Sequence, residues 1–147
     1  MSTEAITFTL GGEQYAIESR YTFEVFRLSD FTRLPSGNGM LFGVVVWRGD
    51  LLTILDVRHA LGLRTSALHD LTRVIVLGES HAAFGILADR VHEMRTLHDD
   101  DIEPMPPGGA EGVAGLGRAY ARGMTKDAVI VLDAAKLLTL HGERSTT

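Results

Sequence analysis

The chain has 147 residues, 45% hydrophobic and 22% charged, a composition that is globular rather than disordered and enough for one domain or two small subdomains sharing a core. It has no cysteine, which excludes disulfides, thiolate metal sites and cysteine catalysis and fits a reducing compartment. The net charge of −5, with scattered single arginines and only Lys126 and Lys136 as lysines, argues against a nucleic-acid surface.

The N-terminal residues 1–5 lack the basic-then-apolar pattern of a signal peptide. No apolar run approaches the ~20 residues needed to cross a bilayer. The expectation is a soluble, cytoplasmic protein. Ile6, Phe8 and Leu10 then alternate with Thr7 and Thr9, the pattern of a half-buried strand. Gly11-Gly12 supplies a turn and residues 14–18 alternate again, so this is a β-hairpin. Residues 19–28 suit a helix face (Tyr21, Val25, Leu28) or a strand. Aromatic and β-branched residues favour a short turn at 19–22 followed by a strand. Residues 34–39 carry loop chemistry.

Residues 43–58 contain two apolar runs around Arg48-Gly49-Asp50, a hairpin whose strands are apolar at nearly every position, as expected where both faces are covered. A helical turn at 60–63 is stopped by Gly62. Residues 71–77 and 82–88 form a further hairpin around 78–81, and 91–97 reads as a strand. Residues 103–117, rich in Pro and Gly, are a surface loop. Residues 118–125 and 128–132 read as a last strand pair. Asp133 caps a helix over 134–141, with Leu137, Leu138 and His141 on one face and Gly142 as its stop. Residues 143–147 are a polar tail. About nine short strands and one terminal helix indicate an all-β fold, and two five-stranded barrel-like halves suit the count better than one large barrel.

Catalytic and cofactor signatures are missing. The glycines at 108–117 sit in a Pro-rich loop, not between a strand and a helix, so neither a P-loop nor a dinucleotide fingerprint is present. His92 and His98 lack the spacing of a helical zinc pair, and Asp99, Asp100 and Asp101 lack the glycine and distal glutamate of a calcium loop. Ser66, His69 and Asp70 are triad residue types without a nucleophile elbow. No cofactor is expected, and the protein is expected not to be an enzyme. Trp47 next to Arg48 is either a strand-end aromatic on the core or an interface hot spot, since both types are enriched at interface centres.

Four stretches together resemble the CheW family of chemosensory coupling proteins. They are the opening hairpin over 7–18, the run 43–58 with its pattern G-V-x-x-x-R-G…D-x-R, the V-I-V-L and G-x-x-x-D-x-V of 73–91, and Arg122-Gly123 followed by L-D-x-x-K-L-L at 132–138. The resemblance covers nearly the whole chain in order. It implies one CheW-like domain over 1–142 made of two five-stranded, SH3-like β-barrels with a short C-terminal helix. The halves would be roughly 1–70 and 71–142, with terminal strands free to cross over.

The resemblance also implies a non-catalytic adaptor that couples the regulatory domain of a CheA-type histidine kinase to the cytoplasmic tip of methyl-accepting chemoreceptors, at membrane-associated arrays. Glu24, Arg48, Gly49, Asp56 and Arg58 match the family's motif positions and are the expected partner-binding residues. Asp89 matches a position expected to be structural. The apolar residues Ile17, Phe23, Val25 and Leu34 are expected to line the receptor groove, and exposed strand edges could pair with similar barrels. Glu24 and Arg48 are expected to lie together as a partner-facing ion pair.

Three departures concern which receptor and kinase are served: Thr53 stands where the family often has Pro, Thr22-Phe23 replaces Val-x, and the hairpin at 124–128 lacks the usual D-G and looks shorter. Such a scaffold could equally serve surface motility, such as twitching or gliding, instead of flagellar chemotaxis. A small-ligand- or metal-binding β-barrel and an oligonucleotide-binding barrel are the other classes; the latter is disfavoured because no strand carries an aromatic and basic face. Zinc, calcium and a chelator should each leave the melting temperature unchanged, because a ligand that binds the native state must raise it. A shift of several degrees with any of them would revive the metal-binding class.

Overall fold

A computed structural model describes residues 1–34, 41–60, 63, 67–105 and 119–145. In chain order the elements are β1 (Ser2–Leu10), β2 (Glu13–Glu18), β3 (Thr22–Arg27), β4 (Thr32–Arg33), β5 (Leu41–Trp47), β6 (Asp50–Leu55), α1 (Val57–Ala60), β7 (Arg73–Gly78), β8 (Ala82–Ala88), β9 (Arg90–His98), β10 (Ala121–Met124), β11 (Val129–Leu132) and α2 (Ala134–Ser145). No helix among the described residues is long and apolar enough to cross a membrane.

The strands form two sheets, one five-stranded in the order β10-β11-β2-β1-β9 and one six-stranded in the order β3-β7-β8-β6-β5-β4. Each contains one parallel pair, β11 with β2 and β6 with β8. The five-stranded sheet is drawn round on itself. After β9 the chain returns to β10, where Glu103 and Met124 exchange both backbone hydrogen bonds at 2.9 and 2.8 Å. Gly123 makes this approach possible, since a Cβ there would collide with the Glu103 carbonyl. In the six-stranded sheet, the short segment after β3 leads directly into β4, so its two edges are consecutive in the chain.

Alternation along the strands explains why so many are apolar on both faces. Ile54, Val74, Val76 and Leu87 point into a cluster belonging to the six-stranded sheet. Their neighbours Leu55, Ile75, Leu77 and Ile86 point the other way, into a core shared between the sheets. In the five-stranded sheet Ala16, Val129 and Val131 fill its own interior. Ile17, Ile130 and Leu132 join the shared core, with Leu137 and Leu140 of α2. Each sheet thus has an inner face and a face buried against the other half. Phe8 and Tyr15, opposite each other across β1 and β2, stack at 5.9 Å in the shared core. The Tyr15 hydroxyl is buried there without a hydrogen-bond partner among the described residues, and burial pushes its pKa up.

The mainly β architecture with a terminal helix is as expected, and several boundaries are corrected. The described residues hold eleven strands rather than about nine, among them the unexpected two-residue strand Thr32–Arg33. The sheets do not divide near residue 70: residues 22–88 build one, and residues 2–18 together with 90–132 build the other. The second sheet has six strands, not five.

Helical structure precedes the expected 60–63 turn, at Val57–Ala60, and Gly62 lies outside the described residues. The last strand pair begins at Ala121 rather than 118. Asp133 does cap α2, accepting from the Lys136 backbone N–H at 3.2 Å. Gly142 does not stop it: the helix runs to Ser145, into the expected polar tail. Its buried face is Ala134, Leu137 and Leu140, with Leu138 partly buried. Most of the loops at 34–39 and 103–117 fall outside the described residues.

Turn geometry supports one prediction. Gly11 and Gly12, with φ of 54° and 84°, form the two-residue left-handed turn whose twist matches a hairpin. In the β10–β11 turn the left-handed residue is Ala128, φ 67°, and its side chain is exposed. An exposed side chain gains little packing to offset the strain of Cβ against the carbonyl, roughly 1–2 kcal/mol. Ala128→Gly should stabilise the fold by ~0.5–1 kcal/mol, after glycine's larger loss of chain entropy is subtracted, and raise Tm by about 2–4 °C in a thermal melt. A lower Tm would mean that the left-handed conformation is not strained.

Candidate partner-binding site

The β5–β6 turn is made by Arg48 and Gly49, with φ of 52° and 83°, both left-handed. Arginine rarely adopts that conformation, and here its side chain is held from two sides. Its guanidinium lies 4.5 Å from the Trp47 ring centroid and donates to Glu24 Oε1 at 2.9 Å. Trp47 Nε1 donates to the same oxygen at 3.3 Å.

Glu24 comes from β3, with β7, β8 and β6 between it and β5 in the hydrogen-bonded order. The contact therefore exists because the sheet curls. The pair is exposed, at 63% for Arg48 and 37% for Glu24, so it contributes only ~0–1 kcal/mol to stability. Its outward position leaves it available to a partner. Gly49 has open space around it, and its positive φ is what the turn requires.

The other two motif residues lie elsewhere. Arg58 is 3% exposed and Asp56 7%. Asp56 follows β6, and its Oδ1 accepts the Arg58 backbone N–H at 3.2 Å at the start of α1. Its carboxylate also takes the guanidinium in a two-pronged contact, Nε to Oδ1 and Nη2 to Oδ2, each 2.8 Å. The hydrogen bonds to Asp56 raise the Arg58 pKa despite burial. Nη1 reaches Asp89 Oδ1 at 3.0 Å, and Asp89 Oδ2 accepts from the Gly11 backbone N–H at 2.8 Å. Asp56 and Arg58 are thus spent inside the protein and present no partner-binding surface. The match of Asp89 to a structural position agrees with its geometry.

The four apolar residues expected in a groove do not share a surface. Ile17 is fully buried in the shared core. Phe23 packs on the inner cluster of the six-stranded sheet and Val25 on the shared core. A bulge between Thr22 and Glu24 makes Phe23 the extra residue of β3, which breaks the alternation that would have put it beside Val25. Leu34 is half-buried, and its backbone N–H donates to the Phe42 carbonyl at 3.2 Å.

Sequence reasoning missed Val46 and Leu51. They face each other across β5 and β6 at 68% and 75% exposure. The apolar run that contains them was in plain view, but it reads equally well as a strand covered on both faces.

The metal-like residues are dispersed. His92 Nε2 contacts Thr9 Oγ1 at 2.7 Å, while His98 and Asp101 form a reciprocal cap on the short turn Asp99–Asp101. His81 lines a cleft near Trp47. Among the described residues no three His, Asp or Glu side chains are grouped to hold a metal ion. On the β10–β11 turn, the Arg95 guanidinium and then the Thr125 hydroxyl hold the Asp127 carboxyl well below the usual carboxylate range. Whatever stability this exposed pair contributes is present above that range and is lost as pH falls.

Arg58→Met should separate scaffold from surface. It leaves two carboxylates without their cation, one of them buried, and should cost ~3–5 kcal/mol in urea denaturation. A loss below about 1 kcal/mol would show that the Asp56–Arg58–Asp89 centre does not hold the sheets.

Comparisons with known proteins agree with this geometry. The CheW-like domain family matches residues 4–141. The chain is 28% identical over 103 residues to Chemotaxis protein CheW of Bacillus subtilis, which covers 70% of this chain and 66% of that protein. It is 29% identical over 145 residues to Protein FrzA of Myxococcus xanthus, which covers 97% of this chain and 89% of that protein. Its fold is similar to that of the scaffolding protein TtCheW from Thermoanaerobacter tengcongensis, with a TM-score of 0.75 and 23% identity over 90% of this chain and 89% of that one. With a family match over nearly its whole length and the family's two-sheet fold, the chain belongs to the CheW-like domain family.

Proposed function

We propose that the protein is a non-catalytic adaptor that couples a CheA-type histidine kinase, through its regulatory domain, to the cytoplasmic tips of methyl-accepting chemoreceptors. It would act in the cytoplasm, recruited to membrane-associated receptor arrays, and without a cofactor. The observation that carries this reading is the exposed Glu24–Arg48 pair with Trp47 beside it, on a turn that matches the family's R-G position. An exposed ion pair contributes little to folding, so its outward geometry is better explained by recognition. An adaptor needs contacts whose strength depends on the receptor's state, and it needs no chemistry of its own. A scaffold for surface motility is the second reading. Thr53, Thr22-Phe23 and the hairpin at 124–128 support it as departures from the usual family pattern.

Three variants test the adaptor role: Glu24→Arg, Arg48→Glu and both together. Each single reversal should keep its melting temperature to within about 2–4 °C, since an exposed pair is worth at most ~1 kcal/mol. Each should lose receptor-coupled activation of the kinase, and the double variant should recover part of it. Normal activation by both single variants would remove the pair from any working interface.

A further inference from the structure

The sheet edges offer little to a partner strand. β4 is two residues long, and β3, β9 and β10 carry bulges. The outer side of β10 is also taken by Glu103. Short and bulged edges are how sheets avoid pairing with other chains. This corrects the expectation that exposed edges serve as the contact. Recognition then depends on side chains, and on how firmly each one is held.

The Glu24–Arg48 pair would be loose on its own. Both side chains are long and reach water, and keeping two such chains in one geometry costs rotamer entropy. Trp47 is different. It is half-buried and packs on the inner cluster of the six-stranded sheet, as Phe23 does. Phe23 is the extra residue of the β3 bulge, and Glu24 follows it directly. An indole has only two side-chain torsions, so once its ring is packed its N–H is a fixed donor. That N–H meets Glu24 Oε1 at 3.3 Å. Arg48, whose guanidinium lies 4.5 Å from the same indole, donates to the same oxygen at 2.9 Å. Both contacts of the Glu24 carboxylate among the described residues are therefore made through Oε1. An ionised carboxylate can only accept, so Oε2 is an acceptor in a fixed place.

We propose that Trp47 is a positioning residue: it fixes Glu24 through Oε1 and so presents Oε2 to a hydrogen-bond donor on the partner. Fixing the carboxylate in advance removes an ordering cost that the partner would otherwise meet on binding. The inference deepens the adaptor role and rests on it for the identity of the partner.

The test uses the full chain. Trp47 is the sole tryptophan, so its indole N–H gives a single signal in a proton–nitrogen correlation spectrum. Glu24→Ala, with Trp47 untouched, should move that signal. Trp47→Phe keeps an aromatic ring on the cluster and removes the N–H. It should melt within about 4 °C of the unaltered protein. It should lower receptor-coupled kinase activation about tenfold, the size of one hydrogen bond to a charged group. Glu24→Ala should lower activation at least as far, and the Trp47→Phe/Glu24→Ala double variant no further than Glu24→Ala alone, because Trp47 acts through Glu24. Glu24→Gln should also lower activation about tenfold, since it replaces one acceptor oxygen by an amide donor.

An indole signal that Glu24→Ala leaves in place would overturn the proposal, whatever the Trp47 variants do. So would normal activation by Trp47→Phe or by Glu24→Gln. A double variant about tenfold below Glu24→Ala would overturn it as well, because Trp47 would then touch the partner itself. In all of these cases the adaptor reading stands as long as Glu24→Arg and Arg48→Glu fail to activate. It is the reading that falls if both of those reversals activate normally.

Discussion

The buried guanidinium of Arg58 is the point on which the two halves depend. It is tied to Asp56 just after β6 and to Asp89, where the chain passes from the six-stranded sheet into the five-stranded one. Asp89 in turn accepts from Gly11 in the β1–β2 turn, and its own backbone N–H donates to the Thr9 carbonyl at 2.9 Å. A cation taken out of water must have its partners in place before burial is tolerable. This one has them only when the two sheets stand in one relation to each other. The shared apolar core supplies bulk attraction between the halves. The centre at Arg58 adds direction, since a hydrophobic contact alone could slide.

The division of labour follows from burial. The D-x-R motif ends inside the protein, and the R-G motif lies on a turn that faces water. Both are charged and both match the family pattern, so residue type could not separate them. Arg48 stays in contact with water, which suits a residue of a surface contact. Arg58 does not, which suits a fixed joint. Trp47 connects the exposed site to the fold: its ring supports Arg48 while its N–H helps fix Glu24. The two earlier readings of Trp47, packed aromatic and interface residue, are compatible, because it is half-buried and borders the surface clefts on either side of the turn.

Such a protein makes an adaptor out of rigid parts. Its strand edges are protected, so association proceeds through faces and turns, which can be changed residue by residue without disturbing the hydrogen-bonded sheets. Val46 and Leu51 show how far that freedom goes. Two large aliphatic side chains stand in water on a hairpin whose adjacent Val45 and Leu52 are buried.

Much of the fold was legible in the residues. Alternation placed β1 and β2, Gly11-Gly12 placed the turn between them, and Asp133 placed the start of α2. These signals are local, arising from backbone geometry within a few residues, and tertiary structure did not override them. The pairing of Glu24 with Arg48 also agreed with expectation, although Glu24 stands within β3 and not at a strand end.

What only the tertiary structure decided was which side of each apolar strand meets water and which strands share a sheet. A run such as that of β5 and β6 is apolar on both faces whether it is covered twice or once, so Leu52 and Leu51 look alike in sequence and differ entirely in exposure. The single extra residue in β3 sent Phe23 and Val25 into different clusters, and no composition signal marks a bulge. Gly142 looked like a helix stop, but a helix boundary also depends on long-range packing, here of Ala134, Leu137 and Leu140 on the shared core. Local chemistry chose the elements; burial, which depends on contacts distant in the chain, chose their roles.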